Sequence, residues 1–452
     1  MSSVGFLGSP SRTRPPQLGG PLPLRLIRDL RDDPLEFLSA VAREAGDICA
    51  LRIGPTPVVV LSSPELIRQV LVADADQCPK GRVLLRALRP LLGNGLLTSS
   101  GELHARQRQL IAPHFFARNL DRYVDVVASF GEEICREWAP GERIELVSEM
   151  QRLTTKLVGR MMLSIDIDED PRLVEAMTEA FAWEMHALTH PLALPLRVPT
   201  PRNRRMQRAL GYLRERIGGI IAARISSGVD GDDMLAMLLS HRDEEGRRLP
   251  WQQVYDEILT LCGAALESTA DAMAWTLYLL AKNPEAGAKV RSEADSALRG
   301  RAVSTGDLDD LPYALQSFKE SMRMYPPAAV IVRAAESDLS LGGYEVRSGT
   351  TLILACWVLH RRPDLFPEPE SYVPERFDPA GERKIPKGGY LPFGIGPRVC
   401  IGGQLALLEG QILTATIGQR VKLELEPDQE VVPRLQMNVR ARDGIAARVR
   451  HR

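Results

Sequence analysis

Neither sign of charge is in surplus: 57 basic and 58 acidic side chains leave a formal net charge of −1 on 452 residues. That balance argues against a nucleic-acid binder resting on uncompensated positive charge. Cysteine is sparse, and Cys49, Cys78, Cys135, Cys262, Cys356 and Cys400 stand far apart with no CxxC pair. A zinc ribbon and a disulfide framework are thereby disfavoured, and a reducing cytoplasm is the expected compartment. Met1 to Gly8 has neither the basic nor the apolar region of a secretory signal. Uninterrupted apolar runs are missing too. The best candidate, Ile258 to Ala281, carries Glu267 and Asp271 near its middle. Each acid would cost roughly 2.5–3.5 kcal/mol at a bilayer centre, so the stretch reads as a buried helix and no membrane anchor is expected.

What is present is ordinary globular composition, 44% hydrophobic and 25% charged, enough to bury a large core. No repeat, low-complexity block or Ser/Gly linker divides the chain. Arg12 to Pro23 is too rich in Pro and Gly for a helix, so residues 1–24 read as an extended lead-in and 25–452 as one domain. Asp47 to Leu61 reads as two strands about a Gly/Pro turn, and Gly342 to Leu354 repeats that pattern late in the chain. Between them the period is helical, over Leu120–Trp138, Glu149–Met162, Arg205–Ser226, Trp251–Ala281 and Pro284–Leu298. The class is mainly α with a small β portion. Thr189 to Pro201 interrupts the helices with four prolines and an apolar filling. It reads either as a packed surface loop or as a mobile lid over an apolar pocket.

The densest chemical signal is Leu391-Pro-Phe-Gly-Ile-Gly-Pro-Arg-Val-Cys-Ile-Gly-Gly403, which runs into the helical pattern Gln404–Ile417. A cysteine at a helix N-terminus, among the free N–H groups of a glycine-rich turn, is favoured as thiolate. Three readings compete. A phosphate loop of the GxGxxG kind fails because Val399 stands at the third glycine position. A nucleophilic cysteine needs a base that could lie anywhere in space. The third reading is a thiolate ligand to a metal. The run matches FxxGxRxCxG through Phe393, Gly396, Arg398, Cys400 and Gly402, and so resembles the haem-ligand loop of the cytochrome P450 family, the haem-thiolate monooxygenases.

Further matches follow in family order. Glu320-Ser-Met-Arg323, ahead of Pro326 and Pro327, resembles the ExxR helix, whose i and i+3 side chains can pair on one face. Pro374-Glu-Arg-Phe377 resembles the PERF segment. The resemblance implies a structural network of Glu320, Arg323 and Arg376. Ala264-Ala-Leu-Glu-Ser-Thr269 on the long helix resembles AGxET(T), where an acid and a neighbouring alcohol guide protons during oxygen activation. This implies catalytic roles for Glu267, Ser268 and Thr269. Ala265 replaces the usual Gly, adding a methyl where the family's helix bows. Ser268 replaces the usual Thr, keeping the hydroxyl but losing the methyl that stiffens χ1. His104-Ala-Arg-Gln-Arg108 resembles the propionate-binding helix in an HxxxR form. By the same resemblance His104, Arg108, Arg333 and Arg398 bind the haem propionates. His186 and His190 border the lid and read as surface residues, and Cys262 and Cys49 as buried small hydrophobes.

The resemblance spans the chain from about residue 25 onward and implies a soluble, bacterial-type member with the triangular helical fold. Haem b would lie between the long helix and the Cys400 loop, with Cys400 as its axial thiolate. The reaction implied is insertion of one oxygen atom from O₂ into a C–H bond. Because the chain closes shortly after its last motif helix, a separate ferredoxin and ferredoxin reductase are the expected electron donors. A monomer is expected. Pocket segments would be Arg82–Leu97, Phe181–Pro201, Leu261–Ser268, Ala328–Val332 and the region about Gln436-Met437, with Leu261, Ala264, Ala265, Ala328, Ala329, Val330 and Ile331 as lining. Their aliphatic character favours an apolar small molecule, terpenoid or another secondary metabolite first, with a fatty acid or steroid as alternative. A peroxide-driven peroxygenase and a non-enzymatic haem sensor are the rival functions. The retained acid and alcohol argue against both.

Overall fold

The computed structural model describes residues 14–18, 28–30, 32–53, 56–190, 193–228, 231–242 and 245–451. Residues 1–13 and 19–24 of the lead-in, the Gly54-Pro55 turn, and Pro191 and Leu192 of the proline-rich segment lie outside them. Of the lead-in, Gln17 bridges to Ala50 and Leu18 is buried.

The longer helices, in order, are α1 (Pro34–Ala45), α2 (Arg82–Leu92), α3 (Gly101–Ile111), α4 (Asp121–Glu137), α5 (Leu146–Val158), α6 (Pro171–Thr189), α7 (Pro201–Ser226), α8 (Trp251–Lys282), α9 (Pro284–Leu298), α10 (Pro312–Met324) and α11 (Gly403–Arg420). Their starts follow local chemistry. Asp170 accepts from the Leu173 N–H at 3.2 Å ahead of Pro171. Thr200 accepts from the Asn203 N–H at 3.1 Å ahead of Pro201. In each, a side-chain oxygen satisfies an orphan donor and proline sits where no N–H is needed. α8 is apolar on most sides and runs through the middle of the principal core, packed by α5, α10 and α11. α10 and α11 cross closely: a Cβ added at Gly410 would lie 2.3 Å from the Phe318 ring.

The strands are β1 (Ile48–Ile53), β2 (Thr56–Leu61), β3 (Arg143–Glu145), β4 (Ile331–Ala334), β5 (Leu339–Leu341), β6 (Tyr344–Val346), β7 (Thr351–Leu354), β8 (Val421–Leu425), β9 (Pro433–Leu435), β10 (Val439–Ala441) and β11 (Ala446–His451). The main sheet has the order β1-β2-β7-β4. The first strand pair is an antiparallel hairpin, as the sequence suggests. The second is not. β6 pairs with β5, while β7 lies parallel to β2 and antiparallel to β4.

The proline-rich segment is tied down where it is described. Asn203, 3% exposed, donates to the carbonyls of Pro195 at 2.9 Å and Val198 at 2.8 Å, and accepts from the Trp183 indole at 2.8 Å. Phe181 to Thr189 belong to α6 and not to a loop.

Glu320 and Arg323 are fully buried and paired through two bonds, Nε to Oε2 at 2.7 Å and Nη2 to Oε1 at 2.8 Å. Arg376 reaches the same carboxylate at 3.3 Å. The rest of the Arg323 fork donates to the carbonyls of His360 at 2.9 Å, Pro369 at 2.7 Å and Ser371 at 3.2 Å. His360 carries the network onward, because its Nε2 accepts from the Leu391 N–H at 2.8 Å at the head of the Cys400 loop. Burial, seconded by the charges of Arg323 and Arg361, pushes its imidazole down to about 3, so it stands neutral.

Candidate active site

Between α8 and the loop ahead of α11 lies a cavity of about 400 Å³. Cys400 lines one wall, and Leu261, Ala264, Ala265, Ser268, Thr269 and Ala272 line the other. The loop holds its shape through backbone chemistry: the Cys400 N–H donates to the Phe393 carbonyl at 2.8 Å. Gly396 has φ +78°, and a Cβ there would lie 2.1 Å from the Leu71 carbonyl oxygen. Both its conformation and its contact therefore require glycine. Cys400 is the exposed cysteine, and the other five are buried. Removal from bulk solvent nonetheless raises its thiol above the ordinary value, opposed by the Gly402 N–H and the Arg108 charge.

One end of the cavity is lined by Arg108, Arg333, Arg398, His104 and a residue that motif reading missed, Lys80. Among the described residues none of these four cations has a carboxylate partner; each turns to a carbonyl. Arg108 donates to Val399 at 2.8 Å, Arg398 to Ser99 at 2.8 Å, Arg333 to Val332 at 2.9 Å and Lys80 to Leu97. Burial, then Arg398 and Arg333, pushes Lys80 down to about 7, and burial, then Arg398, brings Arg333 to about 10. His104 falls to about 4, again by burial first. An imidazole so placed can meet a carboxylate through an N–H hydrogen bond. Such a cluster has positive charge to spare for a dianion. Lys80 carries no motif, and only its spacing to the later arginines in three dimensions marks it.

The long helix divides its groups between two cavities. Ser268 lines the large one, and its hydroxyl donates to the Ala264 carbonyl at 2.8 Å. Thr269 is buried and hydrogen-bonded to Glu409 of α11, whose carboxyl burial pushes up to about 7. Glu409 is a second residue the motifs did not reveal. Glu267 lines a cavity of about 260 Å³ that also touches Phe181, Leu266 and Arg440. Arg440 of β10 lies 3.4 Å from Glu267 and 2.8 Å from the buried Asp271.

Several expected lining residues lie elsewhere. Ala328 and Ile331 line the cavity, but Ala329 and Val330 do not. The Ala329 carbonyl accepts from the Trp357 N–H at 2.9 Å, and Val330 packs against the core beneath β1 and β2. In the Arg82–Leu97 segment only Leu96 and Leu97 reach the cavity, leaving Arg82, Arg86 and Arg89 exposed on α2. Neither Gln436 nor Met437 lines it; the next residue, Asn438, does. Among the described residues no part of the proline-rich segment lines it.

The model of the cytochrome P450 family matches residues 15–445. The chain belongs to the cytochrome P450 family. It is 33% identical over 414 residues to cyclooctatin synthase of Streptomyces melanosporofaciens, covering 90% of this chain and 89% of that one. To the cyclooctat-9-en-7-ol 5-monooxygenase of the same organism it is 34% identical over 400 residues, 87% and 86% of the two chains. To the pentalenene oxygenase of Streptomyces avermitilis it is 31% identical over 403 residues, 88% and 89%. Among solved structures, a cytochrome P450DA heme domain superposes with TM-score 0.88 at 25% identity, over 97% of each chain.

This P450 is therefore a haem-dependent monooxygenase with a cysteine thiolate axial ligand, and it draws on O₂, an apolar substrate and an electron-transfer partner. The cavity fits that group: a cysteine on one wall and unpaired cations at one end suit an iron porphyrin with two carboxylates. No helix of the described residues is long and apolar enough to cross a membrane.

One buried acid lies outside these motifs. Glu184 of α6 is 2% exposed, and among the described residues its Oε1 has no hydrogen-bond partner. Burial, seconded by the Glu267 charge, pushes its carboxyl up to about 9 from the ordinary 4.5. A carboxyl raised on folding contributes fully below the unfolded value and loses that contribution as pH climbs toward the folded one. Stability is expected to decline between about pH 5 and pH 9, by up to about 1.4 kcal/mol per unit, and Glu184→Gln to flatten the slope. Thermal unfolding of both proteins across that range checks this, and equal slopes refute it.

Proposed function

We propose that this P450 hydroxylates a polycyclic terpenoid, with electrons from a separate ferredoxin and its reductase, in a reducing cytoplasm that suits six unpaired cysteines. The observation that carries the reading is the aliphatic lining of the cavity that holds Cys400, with Leu261, Ala264, Ala265, Ala328 and Ile331. The Streptomyces relatives, terpenoid oxygenases, support it. A fatty-acid substrate would need a cation for its carboxylate. The arginines of α2 face away, and those lining the cavity gather at the end assigned to the propionates.

In this reading the Cys400 thiolate would hold the haem iron. Arg108, Arg333, Arg398 and Lys80 would hold the propionates by charge, and His104 by a hydrogen bond. Bound haem with its thiolate supplies the activation of O₂ and the transfer of one oxygen atom to a C–H bond. The chain supplies apolar walls that orient substrate and exclude water, and hydroxyls that move protons. Ser268 hands a proton into the cavity, Glu267 connects the helix to the second cavity, and Thr269, tied to Glu409, steadies the pair. Ser268→Ala is then expected to cut product formed per O₂ consumed about tenfold or more, with peroxide released instead, and Thr269→Ala to do less. Oxygen uptake against product and peroxide yield checks the order. A large loss only in Thr269→Ala would reassign the donor.

The substrate reading is tested by spectral titration. A polycyclic ligand burying about 300 Å² of apolar area gains roughly 7 kcal/mol before entropy losses. Bicyclic and tricyclic terpenoids are expected to bind at micromolar concentration and shift the haem from low to high spin, and nucleotides and charged sugars to leave it unchanged. A library in which only carboxylates or peptides shift the spectrum overturns the reading.

A further inference from the structure

We infer that Asn438 selects substrates that already bear a hydroxyl group, so that this P450 acts on a polycyclic alcohol in preference to the parent hydrocarbon. The inference rests on the terpenoid reading and narrows it.

The polar side chains lining the large cavity mostly have partners. Thr260 bonds to the Leu92 carbonyl, Ser268 to that of Ala264, Thr269 to Glu409, and the cations to their carbonyls. Asn438 differs. Its Nδ2 donates to Asp271 Oδ2 at 3.2 Å, and Asp271, 1% exposed, also accepts from Arg440, at 2.8 Å on Oδ1 and 3.2 Å on Oδ2. A carboxylate accepts only, so the amide is oriented with its NH₂ toward Asp271 and its oxygen away. That oxygen has no partner among the described residues, and it is not among the sealed, unsatisfied atoms of the interior. With Asn438 lining the cavity, Oδ1 is an acceptor offered to whatever fills it.

The acceptor is also rigid. The Asn438 carbonyl accepts from the Gln436 N–H at 2.9 Å, the Val439 N–H donates to the Pro327 carbonyl at 3.1 Å, and the Val439 carbonyl accepts from the Trp275 indole at 2.9 Å. A fixed amide oxygen in an aliphatic cavity rewards a donor. A ketone or an ether has none to give. An ammonium would have to be desolvated among alanines and leucines, which leaves the neutral hydroxyl. A hydrocarbon filling the same space would strip water from Oδ1 and leave it unpaired. The substrate must then come from a reaction that has already placed oxygen on the ring skeleton, either a cyclisation ending in capture of water or an earlier hydroxylation.

The experiment titrates the holoenzyme, by spin shift and by calorimetry, with three ligands of one skeleton: a bicyclic terpene alcohol, its methyl ether and the parent hydrocarbon. The alcohol is expected to bind about tenfold more tightly than the other two, and Asn438→Leu to abolish that gap while retaining hydrocarbon binding. Equal affinity of the three for the native protein overturns the inference and leaves the terpenoid reading standing, as does a gap that survives in Asn438→Leu. If none of the three binds, the terpenoid reading and the inference both fall. Should the variant not accumulate as holoprotein, the alcohol against its ether in the native protein decides alone.

Discussion

Cys400→Ala is expected to abolish both oxidation and the red-shifted Soret band of the reduced carbon monoxide complex. That shift reports thiolate opposite carbon monoxide, and histidine cannot imitate it. No other cysteine can take the place. Cys49, Cys78, Cys135, Cys262 and Cys356 are all buried, and burial pushes their thiols up to about 12, 11, 12, 12 and 12. Cys262 lies nearest in function, on α8 itself, yet it lines the smaller cavity. Haem bound by hydrophobic contact and by the propionate cations would persist in part, so pigment alone decides nothing. The position of the carbon monoxide band does. A variant that kept it would show that the wrong ligand had been named.

Arg323→Lys is expected to prevent accumulation of holoprotein, although it keeps the charge. The guanidinium serves five acceptors at once, the two oxygens of Glu320 and three carbonyls. A lysine ammonium has three donors and no planar fork, so carbonyls and part of a fully buried carboxylate would be left unmet. Breaking a buried pair costs about 3–5 kcal/mol, against a total stability of roughly 5–15 kcal/mol. The damage also travels. Arg323 holds the His360 carbonyl, and His360 holds Leu391, where the Cys400 loop begins. Loss of haem content should therefore exceed what the fall in unfolding temperature alone would give. Arg376→Ala should be milder, because that side chain makes one 3.3 Å bond to Glu320 and is partly exposed. The check is unfolding temperature and haem content of the three proteins. An Arg323→Lys protein unchanged in both would refute the network's role.

Much of this was legible from local pattern. The helix Pro284–Leu298 has the ends that its period and its proline suggested, and Trp251–Lys282 exceeds its expected end by one residue. The Cys400 loop, the ExxR pair and the His104/Arg108 face were readable because each lies within one turn or one loop. Spacing along the chain there equals spacing in space. Helix α6 was not read as a unit, because its C-terminal part was taken with the proline-rich segment that follows.

What the amino-acid order determined by itself was the set of groups that act through neighbours in sequence: the cysteine in its glycine loop, the acid and alcohols on one helix, and the periodic apolar faces. Tertiary structure alone decided which of them meet. It sent β7 to pair with β2 across nearly three hundred residues instead of with β6, a choice no local period encodes. It turned Ala329 and Val330 away from the cavity and brought in Asn438 where Gln436 and Met437 were expected. It added Lys80 to the arginines, and by burial it lowered the pKa of His104 and raised that of Glu184. The reason is common to all of these. Charge state and lining depend on the dielectric and the neighbours a residue finds after the chain has closed on itself, and those are properties of the packed interior.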